Sequence, residues 1–138
     1  MLGIQDAEHE ETAPDASRLI ITKLTCSLVG QFQGINITPG TLAHQAYGKE
    51  EVIEQFHCNY GLNPSYRDSI IQGGLKIVGV DPDGEVRIIE LTDHQFFMAT
   101  LFLPQLSSQS EIPHPLIVAF LKAAVDYQSS FLIGQSEN

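Results

Sequence analysis

One segment constrains this chain more than any other: Phe96-Phe97-Met98-Ala99-Thr100-Leu101-Phe102-Leu103. It is almost wholly apolar and does not alternate, which marks a strand covered on both faces. A hairpin precedes it. Residues 75–80 and 85–91 read as its strands, with Asp81-Pro82-Asp83-Gly84 as the turn. A helix is expected after it over residues 113–127, with His114-Pro115 at its start and Pro at the first helical position. Leu116, Phe120, Leu121 and Val125 would form its core stripe. A buried strand, a hairpin and a covering helix together argue for an α/β domain.

The other segments give weaker signals. Residues 19–26 (Leu19-Ile20-Ile21-Thr22-Lys23-Leu24-Thr25-Cys26) read as a strand rich in β-branched residues. Residues 34–40 contain Gly34, Pro39 and Gly40 and read as a connector, and residues 41–46 as a short strand or turn. Residues 49–55 show helical spacing, with Val52, Ile53 and Phe56 on one face. Asn63-Pro64 opens a second helix, with Asn as N-cap and Pro in the first turn, that ends near Gln72 before Gly73-Gly74. Residues 129–138 read as a frayed tail. Four or five strands and three helices suit a single domain over 1–138, with an acidic segment at 1–17 and a tail from 128.

Charge excludes several partners. Lys plus Arg number 7 and Asp plus Glu number 17, so the net charge is −10. Such a chain has no electrostatic footprint for nucleic acid or for an anionic membrane. No apolar run approaches the roughly 20 residues of a transmembrane helix. Asp6, Glu8, Glu10 and Glu11 precede any Lys or Arg, so no signal or transit peptide is expected. Cys26 and Cys58 are too few for a disulfide framework and point to a reducing, cytoplasmic compartment.

Several side chains have both a chemical and a bland reading. His57-Cys58 could be an activated thiol, but adjacent side chains diverge in a strand, so a half-buried loop pair is the default. His44, His57, Cys58, His94 and His114 lack the short spacings of a zinc module, so neither metal nor cofactor is expected. His94 should make a structural hydrogen bond in the turn before the apolar run. The acids from Asp6 to Glu11 lack a calcium-loop pattern and read as a solvated face. Ser107-Ser108 has no recognisable base and reads as a polar loop.

Three segments carry a resemblance. They are Ala46-Tyr47-Gly48-Lys49-Glu50-Glu51-Val52-Ile53-Glu54, then residues 90–102 (Glu90-Leu91-Thr92-Asp93-His94-Gln95 and the apolar run), and then Ser107-Ser108 with His114-Pro115-Leu116-Ile117-Val118-Ala119-Phe120-Leu121-Lys122-Ala123-Ala124. In this order the chain, from about Leu2 to Tyr127, resembles the C-terminal glutaminase domain of CTP synthase, a class I glutamine amidotransferase. The resemblance implies the C-terminal part of a doubly wound, flavodoxin-like α/β fold. It also implies a cysteine nucleophile at a Gly-x-Cys-x-Gly elbow, activated by a His–Glu pair, that feeds ammonia to a synthetase domain. A thiolate needs an imidazole to hold its proton, and the imidazole needs a carboxylate to fix its tautomer.

Against that family, this chain departs at the reactive positions. Neither Cys26 nor Cys58 sits in an elbow pattern, and Leu2-Gly3-Ile4 matches the tail of the helix that would follow the elbow. The family's Phe-His-Pro-Glu is matched by Phe102-Leu103-Pro104-Gln105, so Leu103 and Gln105 replace the catalytic histidine and glutamate. The arginine that would pair the substrate carboxylate falls on Asn59, beside Tyr60, which removes a bidentate contact. An acid for the substrate amino group is matched by Glu11. No phosphate loop of the Gly-x-x-x-x-Gly-Lys-Ser/Thr type occurs.

These departures set the functional expectation. The chain would be an amidotransferase-like domain without glutaminase activity. A remnant cleft near Glu11, Asn59, Tyr60 and Gln105 would take a protein partner or a small molecule, the latter a glutamine-like or neutral amide ligand. A rival expectation is a truncated reading frame of a larger, CTP-synthase-like glutamine-dependent ligase of pyrimidine biosynthesis, with Met1 a misplaced start, or a thiol-dependent enzyme using Cys58. A doubly wound sheet cut in half would expose a strand edge, through which the isolated 138 residues would dimerise.

Overall fold

In a computed structural model, which describes residues 2–136, eight strands and four α-helices are found among the described residues. The strands are β1 (Glu8–His9), β2 (Leu19–Lys23), β3 (Phe32–Ile37), β4 (Glu51–Gln55), β5 (Tyr60–Leu62), β6 (Leu75–Val80), β7 (Val86–Leu91) and β8 (Met98–Thr100). The helices are α1 (Leu42–Tyr47), α2 (Arg67–Gln72), α3 (Pro104–Ser107) and α4 (Pro115–Ser136), and a 3-10 turn (Pro64–Tyr66) leads into α2. A five-stranded sheet runs β4-β3-β6-β7-β8, antiparallel at every pairing. A smaller sheet runs β1-β2-β5, with β1 parallel to β2. The core packs Ile35, Ile37, Val52, Phe56, Val78, Ile88, Phe102 and Leu116 together.

The hairpin, the Asn63 cap and the Pro115 helix start stand where the sequence places them. Asn63 Oδ1 accepts from Ser65 N at 3.0 Å, and β6 pairs with β7 around the Asp81–Gly84 turn. His94 Nδ1 lies 3.2 Å from the Phe96 carbonyl oxygen.

Three segments fold otherwise than their composition suggests. Of residues 34–40 only 38–40 are a connector: 34–37 belong to β3, an interior strand of the sheet, and Ile35 and Ile37 point into the core. Residues 41–46 form a helix, not a strand. The Thr41 hydroxyl accepts from His44 N at 3.2 Å, Gly48 closes the helix at φ 68°, and the buried Glu90 carboxylate accepts from Leu42 N and Ala43 N, each at 3.3 Å. That carboxylate satisfies orphan amides and favours the positive end of the helix. Residues 49–55 form a strand, because burial there alternates: Val52, Glu54 and Phe56 point inward while Ile53 is exposed.

Three further expectations change. The apolar run becomes only the short β8, and it lies at the edge of the sheet rather than covered on both faces. The stripe on α4 is buried at Leu116 alone; Phe120, Leu121 and Val125 are more than half exposed. The last helix continues to Ser136 where fraying was expected, with the hydroxyls of Ser129 and Ser130 bonded to the carbonyls of Val125 and Asp126. Leu2-Gly3-Ile4 is not helical; Leu2 lines a cavity between the two sheets. Met1 and residues 137–138, on which the start and the end of the tail were expected, lie outside the described residues.

Candidate functional site

Two groupings of polar side chains stand out. The first is an open cavity of about 440 Å³ where the small sheet meets the end of β8. His9, Glu11, Ile21, Val29, His57, Cys58, Asn59, Tyr60 and Leu101 line it. The link between β4 and β5 is fixed to the segment after β2 by backbone bonds: Leu24 N to Asn59 O at 2.8 Å, Leu28 N to Cys58 O at 3.0 Å and Gly30 N to Phe56 O at 3.0 Å. Gly61 is buried there because a Cβ would stand 2.7 Å from Leu24 Cδ2. The His9 and Tyr60 rings face each other at 5.0 Å, tilted by 53°. His9 Nδ1 accepts from Glu11 N at 3.1 Å, which leaves the His9 proton on Nε2.

Cys58 sits in the wall of this cavity as a thiol. Its Sγ donates to the Leu101 carbonyl at 3.3 Å. Burial pushes its pKa up, against the smaller lowering influences of Arg87 and the His57 backbone. Arg87 is itself spent: it pairs with Asp81 at 2.7 Å and lies 5.5 Å over the Phe56 ring. His57 is exposed.

Glu11, Cys58, Asn59 and Tyr60 therefore share one cavity, although Glu11 is 47 or more residues from the others. Gln105 does not join them. The chain turns at Leu103 into α3, leaving Gln105 exposed and outside the lining, as is Leu103. Sequence reasoning missed His9, Ile21, Val29 and Leu101; for Ile21 the alternation of β2 is the signal that finds it.

The second grouping is closed. Glu54 Oε1 accepts from Tyr47 OH at 2.6 Å and from His114 Nε2 at 2.8 Å, and Glu54 Oε2 accepts from Ser107 Oγ at 3.3 Å. His114 Nδ1 accepts from Leu116 N at 3.2 Å, so its proton rests on Nε2 and it caps α4. Burial, then the Glu54 hydrogen bond and charge, hold the Tyr47 phenol far above its usual range. Glu54 and His114 are each 4% exposed, so no substrate reaches them. The cluster ties α1, β4, α3 and α4 together. Its members lie in the first and third of the segments that carry the resemblance; the sequence read His114 as a helix start and Ser107 as a polar loop, and a carboxylate on the inward face of β4 was the signal for their gathering. Among the described residues no three His, Cys, Asp or Glu gather in a metal-holding group, and no helix is long and apolar enough to cross a membrane.

Comparison with known proteins places this geometry. A CTP synthase from Picosynechococcus sp. is 34% identical over 98% of this chain and 26% of its own length. One from Carboxydothermus hydrogenoformans is 37% identical over 94% of this chain and 26% of its own length. The chain is a relative of the CTP synthases. It matches their C-terminal part and spans about a quarter of their length. The glutaminase domain of Trypanosoma brucei CTPS, solved with bound acivicin, superposes with a TM-score of 0.84 at 23% identity, over 91% of this chain and 53% of that one. The fold is thus that of a CTP synthase glutaminase domain. No family model matches the chain.

Proposed function

We propose that this CTP-synthase-related domain binds a small ligand in the cavity of Glu11, Asn59 and Tyr60 and does not hydrolyse glutamine. The observation that carries the reading is the state of Cys58. It is the one thiol in the cavity, it is bonded to a backbone carbonyl, and burial disfavours its thiolate. A nucleophilic cysteine needs the opposite environment. The one buried His–Glu pair, His114 with Glu54, is engaged in holding four elements and does not line the cavity. Leu103 and Gln105 bring no acid or base to it. This environment also argues against a thiol-dependent enzyme built on Cys58. A glutamine-like or neutral amide suits a lining that pairs a carboxylate with the amide of Asn59. The free thiols Cys26 and Cys58 fit a cytoplasmic setting.

The test is ammonia release from L-glutamine by the purified chain. The reading expects release indistinguishable from buffer. Turnover that disappears in Cys58→Ser would overturn it.

A second reading places the domain inside a longer, glutamine-dependent ligase of the CTP synthase type, active in pyrimidine nucleotide synthesis. The span of about a quarter of the relatives' length favours it. Intact mass of the native product separates the two: a mass near 15.2 kDa supports the free domain, and a several-fold larger one supports the ligase. We also propose that the free domain pairs with a second copy at the β8 edge, beside the exposed Phe120 of α4. Sedimentation at the mass of a single chain would overturn that pairing.

A further inference from the structure

We infer that the cavity selects a ligand bearing a cationic nitrogen and lacking a carboxylate; this rests on the proposal that the cavity is a ligand site. The argument is the charge of its lining. Glu11 is the one carboxylate among the lining residues, and neither Lys nor Arg lines the cavity. Among the described residues no ion pair engages Glu11. His9 accepts at Nδ1 from Glu11 N and packs its ring against Tyr60, and the other imidazole of the lining, His57, is exposed. The nearest cationic groups are committed elsewhere or face solvent. Arg87 is 5% exposed and locked to Asp81, while Lys23, opposite Tyr60 in the strand register, is exposed and outside the lining.

An ammonium entering this space meets the Glu11 carboxylate and an aromatic lining residue, Tyr60, both of which favour a cation. A ligand carboxylate meets Glu11 with no Lys or Arg in the lining to offset it. Asn59 supplies a neutral donor and acceptor for an amide. A cavity of about 440 Å³ holds a molecule of amino-acid size with room to spare. The ligand class is therefore a small amine, with or without a terminal amide, rather than an amino acid.

Three probes that differ by single groups test this by calorimetric titration of the full chain. They are L-glutamine, 4-aminobutanamide (glutamine without its carboxylate) and 5-amino-5-oxopentanoate (glutamine without its amino group). 4-Aminobutanamide should bind more tightly than glutamine by roughly tenfold or more, the scale of one charge-assisted contact. The oxopentanoate should give no binding heat. Glu11→Gln, at an exposed position, should abolish the preference, and Asn59→Arg should shift it toward glutamine. Glutamine binding as tightly as 4-aminobutanamide would overturn the inference while supporting the ligand site. Failure of all three probes to bind at millimolar concentration would overturn the ligand site itself, and the inference with it.

Discussion

His114→Ala is the sharpest probe of what holds this domain together. The substitution removes the hydrogen bonds to Leu116 N and Glu54, a longer 3.4 Å contact with Tyr47 OH, and a ring packed 6.3 Å from Phe102 and 5.6 Å from Tyr47. The first bond caps α4 through Leu116 N, and losing a cap costs about 1 kcal/mol. The second serves the Glu54 carboxylate, which is 4% exposed and keeps only Tyr47 and the longer Ser107 contact. A hydrogen bond to a buried charged group contributes about 1.5–3 kcal/mol. The two terms give about 2.5–4 kcal/mol, before any cost for the vacated ring. A domain of this size has a total stability of about 5–15 kcal/mol, so the loss consumes a large part of it. Thermal unfolding followed by circular dichroism should show the midpoint falling by about 10–15 °C. Ser107→Ala, which removes the 3.3 Å contact, should cost about 1 kcal/mol or less. A fall of less than about 4 °C for His114→Ala, or equal effects of the two variants, would refute the clamp.

Gly79→Ala should destabilise by about 1–3 kcal/mol in urea, because the new Cβ would stand 2.7–2.9 Å from three atoms of the fully buried Ile88; a neutral result contradicts the packing. Iodoacetamide should modify the exposed Cys26 well before Cys58, read by peptide mass spectrometry, and prior labelling of Cys58 would contradict a protonated, bonded thiol. Burial raises both Cys58 and Tyr47, so the folded chain holds these protons more tightly than the unfolded one. Their stabilising effect is complete below the ordinary thiol and phenol values and is lost as pH climbs through them. The urea midpoint should therefore decline from about pH 8 upward, and a rising midpoint would contradict it. Leu103→His combined with Gln105→Glu should release no ammonia from glutamine, since neither position lines the cavity that holds Cys58.

The sequence conveyed the class of fold and much of the cavity, for physical reasons that can be named. The 75–91 hairpin and the Asn63 and Pro115 helix starts depend on local turn and cap chemistry, which a short window carries. β3 was hidden because Gly34 and Pro39 resemble loop punctuation, while the pairing that makes it a strand comes from β4 and β6. β4 was hidden because Val52, Ile53 and Phe56 also fit a helix; the inward Glu54, bonded to residues 60 positions away, decides for the strand. α1 was hidden because Glu90 caps it from a distant strand. The gathering of Glu11, Asn59 and Tyr60 was legible through family resemblance, not through spacing. The exclusion of Gln105 was not legible, because it follows from where the chain turns after Leu103.

A single heteronuclear NMR titration tests the central claim most directly. The labelled chain receives L-glutamine or 4-aminobutanamide, and the amide peaks and the ligand signals are followed together for a day. The account predicts shifts at Glu11, Asn59 and Tyr60, unmoved peaks for Tyr47, Glu54 and His114, and a constant glutamine signal. Shifts confined to other residues, or conversion of glutamine to glutamate, would contradict it.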